Sequence, residues 1–392
     1  MVFRNTLEIP VPPDVIMRAN ARYQQAVAAG RDVINTGIGV VVADSGDIFM
    51  PTDVRSAYAD IASELSENPI GYQTPRGHVG YLSKLVELHE LGDSSRIASV
   101  QTAGGTGALS LAAAVLPTLF DLPASSQIFS DGGWPNYEAI FSDYNVLQAR
   151  HLDSEGRYDH QSFLGEIDSA DAGSIVLMQS SGFNDDGMDR SPEQWDDIVQ
   201  IIGRRGLLPI IDCAYSGLTN PMLESVADPI GKYLDSEYPH LVTYSSSKNL
   251  GLYHNRLGAL MVFGGNSSQV AGVQNVLEKA VRRSVSSLAY LPAEAAYRAM
   301  YDGSLLTLEQ NEMAQTLAAR RRRFASVLGG GFKHVSDGNG LFAKILPSGF
   351  SEDQHKKVEE QGVIILPSSR VNIGGVPTPK IPSVAEAIKN VL

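Results

Sequence analysis

Leu208-Pro209-Ile210-Ile211-Asp212-Cys213-Ala214-Tyr215 is an apolar run that delivers one carboxylate at its end and a tyrosine three residues further on. A short run rich in isoleucine suits a buried strand. Similar runs surround it at Ser174–Gln179, Leu241–Ser245 and Leu257–Phe263. Between them lie stretches of helical spacing such as Ser191–Arg205, where Ser191 is placed to cap and Glu193 and Gln194 follow. From about Ser99 to Gly265 this alternation predicts parallel strands joined by crossover helices. In such sheets ligands gather at the carboxyl ends of strands, so the polar residues there decide what the protein can do.

Further out, the pattern changes. Leu7–Pro13 is proline-rich and reads as an extended arm, and Pro13–Ala29 has helical spacing that Gly30 ends. Leu305–Leu328 reads as one long helix closed by Gly329–Gly331, placed to link a large domain to a C-terminal one. A chain of 392 residues exceeds what one core usually serves, which also predicts two domains. Hydrophobic residues make up 43% and charged residues 19%, as in a soluble globular enzyme. The net charge of −13 repels phosphate backbones and anionic lipids, so neither nucleic acid nor membrane is an expected partner. Arg320–Arg323, a basic run on a helix of an acidic protein, reads as a solvated face. Leu109–Leu122 is the most apolar stretch, but Ser110, Pro117 and Asp121 interrupt it well short of a spanning helix. The single cysteine, Cys213, excludes an internal disulfide and fits a reducing compartment. With no signal-like N-terminus, the expected location is cytoplasmic.

Three segments carry chemistry. Asp212, at a strand end, needs a cation or strong hydrogen bonds, because an unpaired buried charge is costly. A protonated pyridine nitrogen would serve; so would a magnesium ion or a structural salt bridge. Lys248 closes Tyr244-Ser245-Ser246-Ser247-Lys248-Asn249, just behind an apolar run. Hydroxyls and amides there can hold a phosphate while the amine reaches a cofactor aldehyde. Alone, that motif reads first as a polar loop with a surface lysine. Thr102-Ala103-Gly104-Gly105-Thr106-Gly107-Ala108-Leu109 is a glycine turn running into a helix, whose first N–H groups can bind phosphate. It lacks the Lys-Ser/Thr ending of a P-loop.

Together these segments resemble the fold-type-I aminotransferases, specifically the class I group with aspartate and aromatic aminotransferases. The likeness runs from about Asn35 to Gly375 through Asn35-Thr36-Gly37-Ile38-Gly39-Val40, Gly105-Thr106-Gly107-Ala108, Trp134-Pro135-Asn136 and Pro192-Glu193-Gln194-Trp195. It continues through Asp212-Cys213-Ala214-Tyr215-Ser216-Gly217, Ser247-Lys248-Asn249-Leu250-Gly251-Leu252-Tyr253, Arg256-Leu257-Gly258 and Arg370-Val371-Asn372-Ile373, all in the family's order. The resemblance implies an α/β fold whose large domain holds a mostly parallel seven-stranded sheet flanked by helices, beside a small α/β domain. Residues 1–45 would form an arm and part of the small domain, 46–310 the large cofactor-binding domain, and 311–392 the linking helix and small domain. It implies pyridoxal 5′-phosphate (PLP) and transfer of an amino group between an aromatic or dicarboxylic amino acid and a 2-oxo acid, through the PLP and pyridoxamine phosphate forms.

Roles follow the motifs. Lys248 would carry PLP as a Schiff base and later move the substrate proton; Asp212 would keep the ring nitrogen protonated; Tyr215 and Asn184 would bond the ring's phenolate oxygen. Trp134 would stack on the ring. Gly105, Thr106, Ser245, Ser247 and Arg256 would hold the phosphate. Tyr72, in Tyr72-Gln73-Thr74-Pro75-Arg76-Gly77, resembles a tyrosine that reaches the phosphate of a partner subunit, which implies a homodimer with a shared active site. Arg370 would clamp the substrate carboxylate, with Gly39 and Asn184 beside it, and Arg282 or Arg283 falls near a distal arginine for side-chain carboxylates.

The pattern also breaks. Asn184-Asp185-Asp186-Gly187 stands where the family usually has Asn-Pro-Thr-Gly, Tyr137 and Gln179 stand at two histidine positions, and Gly104 at a serine. Transamination, which the matched motifs imply, is the leading expectation. Another PLP reaction on this fold, such as β-elimination, decarboxylation or oxidation, is the first alternative, and a non-catalytic PLP-fold protein the second.

Overall fold

The computed structural model describes residues 14–88, 94–149, 152–154, 158–219 and 238–392. The arm expected over Leu7–Pro13 lies outside them. In chain order the strands are β1 (Ile34–Asn35), β2 (Ile97–Ala103), β3 (Gln127–Ser130), β4 (Asn145–Gln148), β5 (Ile175–Gln179), β6 (Leu208–Cys213), β7 (His240–Ser245), β8 (Leu257–Phe263), β9 (Phe342–Lys344), β10 (Val363–Ile364) and β11 (Arg370–Asn372). Seven of them build the central sheet in the order β2-β8-β7-β6-β5-β3-β4. The middle strand is β6, and its parallel pairing sets Asp212 in register with Gln179 on β5 and Thr243 on β7.

Both faces of the sheet are covered, which is why its strands read as continuous apolar runs. Ile210 and Leu241 point into a core with the helices Gly104–Leu119 and Ser267–Ser284. Their neighbours Ile211 and Val242 belong to the opposite core, under Val79–Leu88, His160–Asp168, Pro192–Arg205 and Tyr290–Asp302. Capping starts the helices where the sequence placed them. Ser191 and Gln194 form a reciprocal capping box, Asp14 accepts from Ile16 and Met17 N–H, and Pro192–Arg205 ends at Gly206 with φ 65°. One reading changes: β8, grouped with the parallel strands, is antiparallel to both β2 and β7. Only residues 246–256 join it to β7, too few for a parallel crossover.

A second core gathers Phe324, Val363, Ile365, Val371, Val384 and Ile388. Here β9 pairs antiparallel with β11, and β1 pairs parallel with β10. The helix Ser304–Leu328 reaches every layer: Leu306 packs under the central sheet, Leu317 beside Tyr215 and Phe342, and Phe324 in the C-terminal core. Its basic run is not a solvated face. Arg322 and Arg323 are exposed, but Arg320 and Arg321 are fully buried. Arg320 donates to the carbonyls of Val42 (3.0 Å) and Gly374 (3.1 Å) and to Asp44 Oδ1 (2.8 Å). Arg321 donates to the carbonyls of Gly340, Phe342 and Asp186. Backbone carbonyls at the seam between the cores accept from both guanidinium groups, a role that charge clustering in sequence does not reveal. Burial pulls the Arg321 pKa down to about 10. No described helix is long and apolar enough to cross a membrane.

The same seam fixes Gly187, whose φ is 74° and where a Cβ would lie 2.3 Å from the Phe342 carbonyl oxygen. Gly187→Ala is expected to cost about 3 kcal/mol or more. Gly206→Ala, also at positive φ but with open space around it, should cost about 1 kcal/mol. Urea unfolding of both variants checks this; equal losses would show that the Phe342 contact yields.

Candidate active site

The carboxyl ends of β5, β6 and β7 open into a cavity of about 380 Å³. At its base lies Asp212, whose carboxylate is shielded from water. Tyr137 OH donates to its Oδ2 at 2.7 Å and Thr243 Oγ1 to its Oδ1 at 3.2 Å. Burial pushes the Asp212 pKa up to about 6, against those hydrogen bonds and the nearby Lys248 charge, which lower it. The Tyr137 hydroxyl is driven well above its ordinary value by its own burial and by the charges of Asp212 and Asp131. It stays protonated and donates at every working pH. A tyrosine at a histidine position thus keeps a hydrogen bond on the aspartate and removes a group that would titrate near neutrality.

Lys248 follows β7, with Nζ 4.9 Å from the centre of the Tyr215 ring. Beside it the cavity has an anion-binding end. The helix Gly104–Leu119 starts at Ala103, which supplies no side-chain cap, and its first turn lines the cavity with Gly105 and Thr106. Ser245 and Ser247 face that turn, and Arg256 donates to Ser247 Oγ at 3.3 Å and to the Tyr253 carbonyl at 3.0 Å. The glycine at 104 has φ 73°, a backbone conformation that side chains rarely adopt, and a Cβ there would lie 2.5 Å from the movable end of Arg256.

Across the cavity Asn184 links three groups. Its N–H donates to Gln179 Oε1 at 2.8 Å, its Nδ2 to Tyr215 OH, and its Oδ1 accepts from Arg370 Nη1. Gln179, at the other histidine position, thus holds the backbone of Asn184. Arg370 lies 4.2 Å over the Phe342 ring and donates to the Gly37 carbonyl at 3.4 Å. Its Nε is buried and has no hydrogen-bond partner among the described residues, and burial lowers its pKa. That is an unsatisfied donor beside a cavity, the arrangement a carboxylate would complete. Gly39 and Trp134 line the walls, Trp134 edge-on to Tyr137 with ring centres 5.7 Å apart.

The fold therefore brings together Lys248, Asp212, Tyr215, Asn184, Trp134 and Arg370, with Gly39 and the five anion-end residues. It does not bring in Tyr72, which is 96% exposed. Arg282 sits exposed in the last turn of Ser267–Ser284 and donates to Ser286 Oγ, while Arg283 borders a different cavity with Leu111 and Val281. Sequence reasoning gave no role to several wall residues. Tyr253 accepts the Val41 N–H at 2.8 Å, and Ile16, Ile38, Val40 and Phe342 form an apolar side. Ile16 and Phe342 look like core residues in sequence; only the path of the chain puts them at the site.

The sequence profile of the family described as aminotransferase class I and II matches residues 31–388. The aromatic-amino-acid aminotransferase of Pseudomonas aeruginosa is 29% identical over 402 residues, covering 97% of this chain and 97% of that protein. An aspartate aminotransferase of Escherichia coli is 28% identical over 385 residues, covering 92% and 93%. Among solved structures, an aromatic-amino-acid aminotransferase from Burkholderia pseudomallei, covalently bound to pyridoxal phosphate, has a TM-score of 0.90 at 24% identity and covers both chains completely.

Asp212 gives a pH signature. Its folded pKa is raised from 3.8 to about 6, so the ionised carboxylate costs stability above that value. The cost fades as pH falls towards the unfolded value, where both states are protonated. The cofactor-free Asp212→Asn protein should be more stable than wild type at about pH 8, by about 2 kcal/mol, with the advantage gone near pH 4. Thermal midpoints across that range check it; an advantage independent of pH contradicts the assignment.

Proposed function

The chain belongs to the class I and II aminotransferases, and we propose that it moves the amino group of an aromatic amino acid to a 2-oxo acid, with PLP held covalently by Lys248. The residues present fit that cofactor. An uncapped helix start with two serines and an arginine suits a phosphate. A buried aspartate of raised pKa suits a protonated ring nitrogen. When bound, the cofactor supplies an electron-withdrawing ring that stabilises negative charge at the substrate α-carbon.

The chain's residues do the rest. Gly105 and Thr106 N–H groups, the Ser245 and Ser247 hydroxyls and the Arg256 guanidinium bind the phosphate. Asp212 keeps the ring nitrogen protonated, and Tyr137 and Thr243 hold its two oxygens apart in fixed directions. Trp134, on the cavity wall, would offer the ring a flat apolar surface. Tyr215 and Asn184 orient the ring oxygen. Lys248 would hold the cofactor's aldehyde carbon, and its ε-amine, freed from that bond, is the base that would take and return the substrate α-proton. Arg370 takes the α-carboxylate, offering its free Nε in a planar fork that matches a carboxylate.

The substrate class rests on one observation. Among the described residues lining the cavity, Lys248, Arg256 and Arg370 are the cations, and all three have work at the cofactor or the α-carboxylate. One side of the wall, with Ile16, Ile38, Val40 and Phe342, suits an aromatic side chain. Within one chain Arg282 offers nothing to a second carboxylate. Tyr72 supports a homodimer with a shared site, since so exposed a tyrosine is free to reach a partner's phosphate. The two cores support a small domain built from residues up to 45 and from 311 to 392, with the large domain between.

A donor panel at fixed 2-oxoglutarate tests the substrate class. Phenylalanine or tyrosine should exceed aspartate in kcat/KM by about tenfold or more, which is about 1.4 kcal/mol of discrimination; a preference for aspartate overturns it. Lys248→Ala should lower turnover by about a thousandfold or more, and Arg370→Lys should raise donor KM about 10- to 100-fold. Steady-state assays with both variants decide these.

A further inference from the structure

Arg190 is a fully buried cation that the mechanism above does not use. Its guanidinium carbon lies 4.4 Å from the ring centre of Phe183, 4.7 Å from Phe163, 5.0 Å from Trp195 and 5.4 Å from Tyr158. Nε donates to Tyr158 OH at 2.9 Å, and Nη1 and Nη2 both reach Asp131 Oδ2 at 3.3 Å. The same Asp131 oxygen accepts the Gln179 N–H at 2.8 Å. Gln179 is the last residue of β5, and Arg190 stands just before the cap of Pro192–Arg205. One carboxylate oxygen therefore ties both ends of the loop that carries Asn184.

That loop is the one in which Asp185 replaces the family's proline. A proline fixes φ covalently and narrows the loop's conformations. Here the restraint is non-covalent. Inside the loop, Gly187 N–H donates to the Phe183 carbonyl and Phe183 N–H to that of Met188, closing it on itself. Outside, Asp131 and the aromatic cage hold its two ends. The aim of this restraint is visible at Asn184, which Gln179 Oε1 holds by its backbone N–H and which bonds both Tyr215 and Arg370. A buried ion pair is a poor way to gain stability, since apolar residues of similar volume do as well or better. It is a good way to fix geometry.

We propose that Asp131 and Arg190 form a positioning pair that fixes Asn184, and through it Arg370, for the substrate carboxylate. The inference rests on the roles given above to Asn184 and Arg370. Arg190→Lys keeps the charge but loses the fork and the flat face that the four rings hold. In the holoenzyme it should raise donor KM about tenfold with kcat within about twofold, the loss of about one good hydrogen bond at the carboxylate. The dissociation constant of 3-phenylpropionate, a carboxylate with no amine to react, should rise by the same factor in calorimetry. If Arg190→Lys does not fold, Asp131→Asn with Arg190→Met leaves no lone buried ion and carries the same expectation. A variant with a lowered thermal midpoint but wild-type affinity for 3-phenylpropionate makes the pair merely structural and ends the proposal. Arg370→Lys is the control: if it too binds 3-phenylpropionate as tightly as wild type, the reading of Arg370 falls, and the proposal with it.

Discussion

The hydrogen bond from Tyr137 to Asp212 keeps a carboxylate ionisable at the base of the cavity, where water barely reaches it. Most of the site follows from that constraint. Such a group is tolerated only on a rigid frame with fixed donors, and the middle strand of a sheet covered on both faces provides one. Parallel register then sets the neighbours: Thr243 supplies the second hydroxyl and Gln179 the opposite wall. A raised pKa and a need for a nearby cation are one fact seen from two sides.

Much of the frame was legible in sequence because its causes are local. Ser191 and Gln194 cap one helix through neighbouring atoms, and apolar runs of strand length mark β5 to β8. What was illegible depends on non-local geometry. The direction of β8 is the exception, since the brevity of residues 246–256 is itself visible in sequence. The buried half of Arg320–Arg323 depends on carbonyls of Val42, Gly340, Phe342 and Gly374, and no local charge pattern points to those. At the site, the motif residues Lys248, Asp212 and Arg370 were readable from the resemblance. Arg190 was not, since its partners Asp131, Phe163 and Trp195 lie on separate elements. Tyr72 and Arg282 mark the other boundary, because one chain by itself gives neither of them a place at the cavity.

The departures from the family pattern form a connected set. Tyr137 bonds the aspartate that a histidine would support, Gln179 holds Asn184, and Gly104 takes a positive φ beside Arg256. Tyr137 keeps a hydrogen bond on the aspartate, whereas the other two change which atoms meet. The motif residues Lys248, Asp212, Tyr215 and Arg370 stand in family form over a rebuilt foundation. That is the arrangement expected when geometry at the reacting atoms is constrained and its supports are free to vary.

The pairing of β1 with β10 sets the order in which the molecule can be assembled. Thr36 Oγ1 donates to the Ile364 carbonyl across 328 residues of sequence, and Gly37 and Arg370 meet beside it. During synthesis the strands of the central sheet emerge together and can fold as a unit, but the wall formed by Ile16 and Ile38 has nothing to close against until β10 and β11 leave the ribosome. Contacts of such long range are slow to form. The nascent chain therefore carries an open, partly apolar cavity from the emergence of β8 until β10 and β11 follow, and the wall around Arg370 is the last part it completes.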